Sequence, residues 1–374
     1  MKSKIKLGVS LYSYQDEFFR HDMNLEDCIE AVSDMGADGI EILPEEMIRN
    51  CYHMSDEFLA QWQSWMKKYN TVPVAIDGFC DEKGIWKKTG HKYTLEDAIA
   101  VQRGYINICK QLGCKYIRVK ISDMDLLRAL IPYAEEADVI LALEIHAPMQ
   151  IRGEENVENW LSVIKETGSK HLGFIPDFGI FEVEATPIIL RQCLRDGASL
   201  DILKKALEYR DQKKANGEVL DLNEMMDYFK SLGASEADLG GLVWRVYNIN
   251  PVPAEDLKLI MPYVVGFHGK CWNIIYKDER AAKDKYDSDI DRMDLTKLDN
   301  PYPVKDYDDL LEESANYIDA LKVIIESGWE GWINTEYEGG RHLQDITEVR
   351  GVEQTRRHHA MLRNLIEKIE NGEL

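Results

Sequence analysis

The stretch MGADGIEI (35–42) has two counterparts in the chain, LGCKYIRV (112–119) and SGWEGWIN (327–334). Each follows a helix-like segment, places a glycine after it, and then enters a short apolar run. Glycine adopts the left-handed conformation that ends a helix at little cost, and a parallel strand covered on both faces is apolar throughout. The three stretches therefore predict repeated helix-to-strand junctions in a parallel α/β fold.

Eight short runs rich in apolar residues are separated by amphipathic segments. The runs are 5–13, 38–43, 72–79, 115–121, 139–147, 172–181, 263–272 and 331–339. Intervening segments such as 24–36, 56–69 and 94–113 repeat apolar residues every three or four positions, as a single buried helical face does. Asn24 and Thr94 precede two of these segments, and both residue types favour the N-cap position. This alternation predicts one α/β domain over 1–374, a (β/α)8 TIM barrel.

Two connections are longer than a barrel requires. Residues 185–262, between strands 6 and 7, are predicted to form a helical insertion on the catalytic rim. Residues 273–306, rich in Asp and Lys, are predicted to form a long surface loop or lid, with a disordered loop as the alternative.

The composition excludes several classes of partner. The 374 residues include 67 Asp and Glu against 45 Lys and Arg, a formal net charge of −22, which disfavours nucleic acid and anionic membranes. No run approaches the roughly 18 apolar residues of a membrane span, and the start of the chain lacks a signal-peptide pattern. Seven cysteines without a CxxC pair indicate free thiols. We therefore expect a cytoplasmic protein that binds neither nucleic acid nor membranes.

Four predicted strand ends carry side chains of the kind that bind metals. They are Glu144, Asp177, His268 and Glu336, on strands 5 to 8. Functional residues of barrels gather at the carboxyl ends of the strands. Each of the four is flanked by apolar residues and would be a buried charge unless paired or metal-bound. Any one acid could form a salt bridge, but the set predicts a site for Mn²⁺, Mg²⁺ or another divalent metal.

His146 lies two positions after Glu144, and residues so spaced on a strand share a face. Its imidazole is therefore predicted to point into the same cavity, where it could abstract a proton. The alternative is a histidine that is hydrogen-bonded to a neighbouring carboxylate.

The four ligand types in this order resemble the xylose isomerase-like TIM barrels, the superfamily of sugar phosphate isomerases and epimerases that also includes endonuclease IV-type enzymes. MGADGIEI (35–42) and WINTEYEG (332–339) are typical of it. The resemblance implies that the four residues bind one divalent metal. Ile180 replaces a histidine of the DNA-repair branch, which the net charge also disfavours. Gln150 and Ile274 replace a Glu and an Arg of the ketose 3-epimerases, so a sugar isomerase or epimerase is the alternative function.

EIHAP (144–148), FHGKCW (267–272) and EYEGGRH (336–342), together with the insertion, most resemble the alpha subunit of C-glycoside deglycosidases. This resemblance implies a lyase that binds Mn²⁺ and a 3-oxo-glycoside, a sugar already oxidised by a separate enzyme. His146 would remove the C2 proton, the metal would stabilise the enediolate, and the C1–aryl bond would break by β-elimination. It also implies a smaller beta subunit in a hetero-oligomer. A non-catalytic sugar-binding subunit is the third possibility, but it has no need of four metal ligands.

Further polar residues are candidates for substrate binding. Lys120 and Lys270 are predicted to stabilise a developing oxyanion or to form salt bridges. Asp77 and Glu41 are predicted to accept sugar hydroxyls or to pair structurally. Arg341 follows strand 8, where many barrels bind phosphate, although a single arginine is a weak indication.

Aromatic and basic residues complete the set of predictions. The aromatic side chains expected to line the site, or to lie in the core, are Tyr12, Phe79, Trp86 and Trp272. Residues 354–369 are predicted to form a helix. Its basic residues Arg356, Arg357, His358 and His359 are predicted to face solvent or another subunit.

Overall fold

A parallel β-barrel forms the centre of the molecule. The computed structural model describes residues 3–78, 90, 92–183, 189, 192–194, 196–272, 274–276, 310–312, 315–339 and 350–374. Its strands are β1 (Lys4–Ser10), β2 (Gly39–Ile42), β3 (Val72–Asp77), β4 (Tyr116–Val119), β5 (Ile140–Ile145), β6 (Leu172–Pro176), β7 (Gly266–Cys271), β8 (Ile274–Tyr276), β9 (Leu310–Glu312) and β10 (Glu330–Tyr337).

Eight of these strands form one sheet in the order β6-β5-β4-β3-β2-β1-β10-β7, with parallel neighbours throughout. Two bridges, Phe174 with Val264 and Asp177 with His268, connect the edges β6 and β7. The Val265 amide also donates to the Phe174 carbonyl at 3.1 Å. The predicted TIM barrel is thereby confirmed.

Helices surround the barrel and bury their apolar faces against it. They are α1 (Gln15–Phe19), α2 (Leu25–Asp34), α3 (Pro44–Met47), α4 (Asp56–Lys68), α5 (Leu95–Leu112), α6 (Met124–Ala137), α7 (Glu155–Thr167), α8 (Leu200–Ala215), α9 (Leu222–Ser231), α10 (Trp244–Asn248), α11 (Tyr317–Glu326) and α12 (Gly351–Asn371). Among the residues that the structure describes, no helix is both long and apolar enough to cross a bilayer.

The predicted helix boundaries have the expected local chemistry. Asn24 and Thr94 each form a capping box with an Asp three residues later. Gly36, Gly113 and Gly328 adopt φ values of 72°, 79° and 70°, the left-handed conformation that ends a helix before the next strand. The helices were therefore predicted to within a few residues.

The strands are shorter than predicted, and β6 differs most. It ends at Pro176, whereas the prediction extended to residue 181. The Asp177 carboxylate accepts a hydrogen bond from the Gly179 amide at 2.5 Å and begins a 3-10 turn over Phe178–Phe181. A side chain that binds the backbone two residues later competes with strand pairing, so the strand stops there. This turn fixes Asp177 at the mouth of the barrel.

The connection between β6 and β7 has an apolar core of its own. It contains α8, α9, a π-helical turn (Asp238–Val243) and α10. Buried side chains from each of these elements pack together with Trp272, the residue that follows β7. One barrel residue thus belongs to the core of the connection and attaches it to the barrel mouth.

The second long connection lies largely outside the described residues. Of 273–306, the structure describes 274–276, which form β8 and pair antiparallel with β9. The predicted loop or lid, and the candidates Arg341, Phe79 and Trp86, therefore stay predictions. Six cysteines lie in the described residues, and all six are buried.

The prediction that the basic start of the C-terminal helix faces solvent is wrong for three of its four residues. His358 and His359 are fully buried and Arg357 nearly so, whereas Arg356 is exposed. The His358 ring bonds to Thr335 Oγ1 and to the Tyr317 hydroxyl, both at 2.8 Å. Helix α12 packs on β10 and β1, so the His358 and His359 rings form hydrogen bonds with buried polar groups there.

Neutral histidines fit this environment. Burial lowers the pKa of His359 to about 3 and that of His358 well below its usual value. The His359 Nε2 atom donates to the Gly8 carbonyl at 3.0 Å, which a neutral ring can do.

His359 should make the fold sensitive to acid. Its unfolded pKa is about 6.5, so below that pH the unfolded chain binds a proton that the folded chain refuses. Between pH 7.5 and 5.5 the free energy of unfolding of the wild type should fall by about 1.4 kcal/mol more than that of His359→Gln, which keeps a donor for Gly8. Urea unfolding at the two pH values measures the difference. An equal loss in both proteins would contradict a neutral buried His359.

Candidate metal centre and active site

The four predicted metal ligands lie together at the carboxyl ends of the barrel strands. Glu144 is on β5, Asp177 follows β6, His268 is on β7 and Glu336 is on β10. One ligand atom from each lies within 4.8 Å of those of the others, and all four side chains are buried. The parallel barrel brings them together because consecutive strand ends meet at one rim.

His268 is held between carboxylates on both sides of its ring. The Nδ1 atom lies 3.0 Å from Glu144 Oε1 and 3.6 Å from Glu336 Oε2. The Nε2 atom lies 2.8 Å from Glu41 Oε1, and Glu41 also accepts a hydrogen bond from Asn334 at 2.7 Å. An imidazole that gives one N–H to an outer carboxylate and turns its other nitrogen to a ligand cluster has the arrangement of a metal-bound histidine.

The surroundings of His268 favour positive charge. Burial opposes a charge on the ring, but Glu41 and Glu336 outweigh this effect and raise the pKa of His268 well above its usual value. The same carboxylates would attract a cation placed among them.

Two buried cations form ion pairs with the carboxylates of this cluster. Arg118 on β4 lies 2.5 Å from Glu144 Oε2 and 3.6 Å from Asp77 Oδ1. Lys270 on β7 lies 2.8–2.9 Å from oxygens of Asp177, Glu336 and Glu338. Both cations are buried, so these ion pairs are shielded from water.

The net charge of the buried side chains in the cluster matches one divalent ion. Burial, followed by the charge of Glu41, raises the pKa of Asp77 well above its usual value, which favours its neutral form. The remaining buried carboxylates are Glu41, Glu144, Asp177 and Glu336, against Arg118 and Lys270. With His268 neutral, as a metal-bound ring must be, this is an excess of two negative charges among the described residues. The donor set and the charge therefore fit a divalent metal.

Two members of this network were missed in the sequence. Arg118 lies two residues before Lys120 and Glu338 two residues after Glu336, so strand alternation places each on the functional face. That spacing is the signal that could have found them.

The candidate substrate residues differ in accessibility. The Lys120 side chain is 60% exposed and lies 3.3 Å from Glu144 Oε2. Lys270 and Asp77 are each about 1% exposed and face their ion-pair partners. Both lysines lie within salt-bridge distance of carboxylates, and Asp77 lies beside Arg118; their roles in substrate binding stay predictions. Tyr12 packs against the main core, and Trp272 packs in the insertion.

His146 follows β5 and is half-buried at the edge of the cluster. Its Nδ1 atom lies 2.7 Å from the carbonyl oxygen of Ala147. A carbonyl oxygen only accepts, so Nδ1 carries a hydrogen, and in the neutral form of the ring Nε2 has the lone pair. Among the described residues this backbone bond, and not one to a carboxylate, orients the ring.

A cleft joins His146 to the insertion. On the barrel side it is bordered by His146, Lys270 and Glu338, and on the insertion side by Trp244, Arg245 and Asn248. Trp272 also borders it, and its indole N–H donates to the Glu182 carboxylate. The cleft lies beside the four candidate metal ligands, because Lys270, which borders it, contacts two of them, Asp177 and Glu336.

We expect Glu41→Gln to weaken Mn²⁺ binding by about 10- to 100-fold, because the amide is a poorer acceptor for the His268 ring. Glu144→Gln, which changes a ligand, should weaken it further. Titration calorimetry on chelator-treated protein measures both affinities. Glu166→Gln, an exposed residue paired with Arg128, is the matched control and should bind like the wild type. Unchanged binding in Glu144→Gln would refute the metal centre.

Comparisons with known proteins agree with the predicted resemblance. Residues 29–189 match the family model described as xylose isomerase-like TIM barrel. The chain is 24% identical over 375 residues to a C-glycoside deglycosidase alpha subunit of Arthrobacter globiformis, covering 98% of this chain and 94% of that protein. It is 25% identical over 348 residues to the 3'-dehydrocarminate deglycosidase alpha subunit of a Microbacterium species, covering 89% and 88%.

A crystal structure of D-psicose 3-epimerase in the presence of D-fructose has a TM-score of 0.50 and 11% identity, covering 96% of this chain and 99% of that one. At this identity the likeness shows the fold alone. The resemblance to xylose isomerase-like TIM barrels, with deglycosidase alpha subunits among the relatives, is confirmed.

Proposed function

We propose that this xylose isomerase-like TIM barrel is the catalytic subunit of a C-glycoside deglycosidase. It would be a carbon–carbon lyase that cleaves a 3-oxo-C-glycoside into an unsaturated keto sugar and a free aglycone. The observation that carries the proposal is the position of His146, which borders a cleft next to the four candidate metal ligands and donates its Nδ1 hydrogen to the Ala147 carbonyl. The naming of two relatives as deglycosidase alpha subunits supports it.

The reaction needs a general base that is unprotonated near neutral pH and a carbon-bound hydrogen that is acidic enough to be removed. The 3-keto group acidifies the C2–H bond. His146 Nε2 accepts the C2 proton, and the electron pair of the C2–H bond forms the enediolate. When the enediolate collapses, a C1=C2 double bond forms and the C1–aryl bond breaks. The aryl carbon leaves with the bonding pair and accepts a proton. A neutral imidazole whose Nδ1 hydrogen is held by a backbone carbonyl is suited to the first step.

Glu144, Asp177, His268 and Glu336 would hold the metal, with Mn²⁺ as the first candidate and Mg²⁺ as the second. The ion would supply positive charge for the oxygens of the keto sugar. Lys270 is engaged by three carboxylates, so we assign it to holding them in place. Lys120 is exposed beside Glu144 and is the better candidate for a substrate oxygen. Arg341 stays a candidate outside the described residues.

The alternative is a ketose epimerase, in which two metal-bound glutamates exchange protons. Burial would raise the pKa of Glu144, but Arg118 and His268 outweigh it and lower that pKa well below its usual value. Lys270 and His268 likewise outweigh burial and lower the pKa of Glu336 to about 2. When no metal is bound, both carboxylates are thus held in their charged form. Gln150 donates to the Asn250 carbonyl at 2.8 Å, so this position holds the insertion.

A second subunit is part of the proposal. The relatives are named alpha subunits, which supports a smaller beta subunit and a hetero-oligomer. The buried cysteines are consistent with a cytoplasmic enzyme.

The reaction itself tests the proposal. Incubation with Mn²⁺ and a 3-oxo-C-glucoside, alone and with a small beta subunit, should release the aglycone, which chromatography detects. Chelation should abolish release, and added Mn²⁺ should restore it. Epimerisation of free ketoses without aglycone release would replace the lyase by the epimerase.

The substitution His146→Gln should show whether His146 acts as the general base or as a metal ligand. It removes the proton acceptor, so aglycone release should fall by at least about 100-fold, while bound manganese, measured by atomic absorption, should stay at the wild-type amount. Loss of manganese would mean that His146 is a ligand. Lys120→Met is the comparison variant, for which we expect a rise in KM.

A further inference from the structure

We propose that α10 of the insertion forms a subsite for an anionic aromatic group. Trp244 would stack on the ring, and Arg245 would bind its negatively charged oxygen. The identification of this group as the aglycone of the glycoside rests on the proposed function. The existence of a subsite for an anionic aromatic group does not.

Helix α10 presents its polar residues to the cleft that His146 borders. Trp244, Arg245 and Asn248 all line this cleft, and the first and last are four residues apart on one helical face. The helix is anchored on its other side, where Val246 is buried in the insertion core and Lys214 Nζ donates to the Ile249 carbonyl at 2.9 Å. The side of α10 that lines the cleft is therefore held in a fixed position relative to His146.

Arg245 is a cation without a carboxylate partner among the described residues. Its guanidinium lies 5.0 Å from the centroid of the Trp244 ring. Lys270, the other cation of the cleft, already meets Asp177, Glu336 and Glu338. In a chain with a net charge of −22, such an arginine is available to an external anion, and its planar fork matches a carboxylate or phenolate.

The neighbours of Arg245 indicate a flat, hydroxylated partner. Trp244 is 38% exposed, although it is a large apolar side chain. An exposed indole beside a guanidinium is a surface on which an aromatic ring can stack. The Asn248 Oδ1 atom is buried and has no hydrogen-bond partner in the part of the chain that the structure describes. It could accept a hydrogen bond from a ring hydroxyl.

A carboxylate and its neutral amide provide a matched pair of probes. Titration calorimetry with 2-naphthoate and 2-naphthamide should show that the wild type prefers the naphthoate. Arg245→Met should weaken naphthoate binding by about tenfold or more and leave naphthamide unchanged, because only the charged bond is lost. Arg245→Lys should retain part of the preference. Trp244→Leu should weaken both probes by about threefold to tenfold.

Arg128→Met removes an exposed arginine elsewhere, paired with Glu166, and should change neither affinity. The subsite is overturned if the wild type binds neither probe or shows no preference, or if Arg245→Met binds naphthoate like the wild type. Naphthoate binding that depends on Arg245, in a protein that releases no aglycone, would uphold the subsite and reject the lyase. Aglycone release with unchanged kinetics in Arg245→Met would uphold the lyase and reject the aglycone as the group that the subsite binds.

Discussion

The burial of carboxylates around His268 is the constraint on which the rest of this structure depends. A charge removed from water costs several kcal/mol unless it is paired, and the barrel places several of them at one mouth. Arg118, Lys270 and the His268 ring each bind two or more of them. Lys270 and His268 are on β7, and their partners are on or next to β5, β6 and β10, so the ion pairs also connect these strands across the barrel closure.

The fold could be predicted because its signals are local. A glycine that must adopt positive φ, as Gly113 does, and a capping residue such as Thr94 determine helix ends within a few residues of themselves. Strand ends were predicted less well. At Asp177 a single side-chain bond to the Gly179 amide stops β6, and apolar composition does not reveal that competition.

The candidate site was predicted residue by residue but not pair by pair. Strand alternation identifies Glu144 as facing inward, but the partner of its carboxylate, Arg118, lies on the neighbouring strand. Which side chains meet across two strands depends on register and twist, which one sequence does not contain. The burial of His358 and His359 was missed for a related reason. A basic run on a helix suggests solvent, whereas neutral imidazoles can bond to hydroxyls and carbonyls in a core.

The separate apolar core of the insertion has a consequence for how the protein should tolerate substitution. The side chains of α8, α9 and α10 pack mainly on one another and on Trp272, whereas the buried carboxylates at the barrel mouth are held by strand residues and their ion pairs. Substitutions on the exposed side of α10 therefore leave the packing and pairing of those carboxylates in place. We expect the cleft wall formed by α10 to accept more variation than the ion pairs of the barrel mouth.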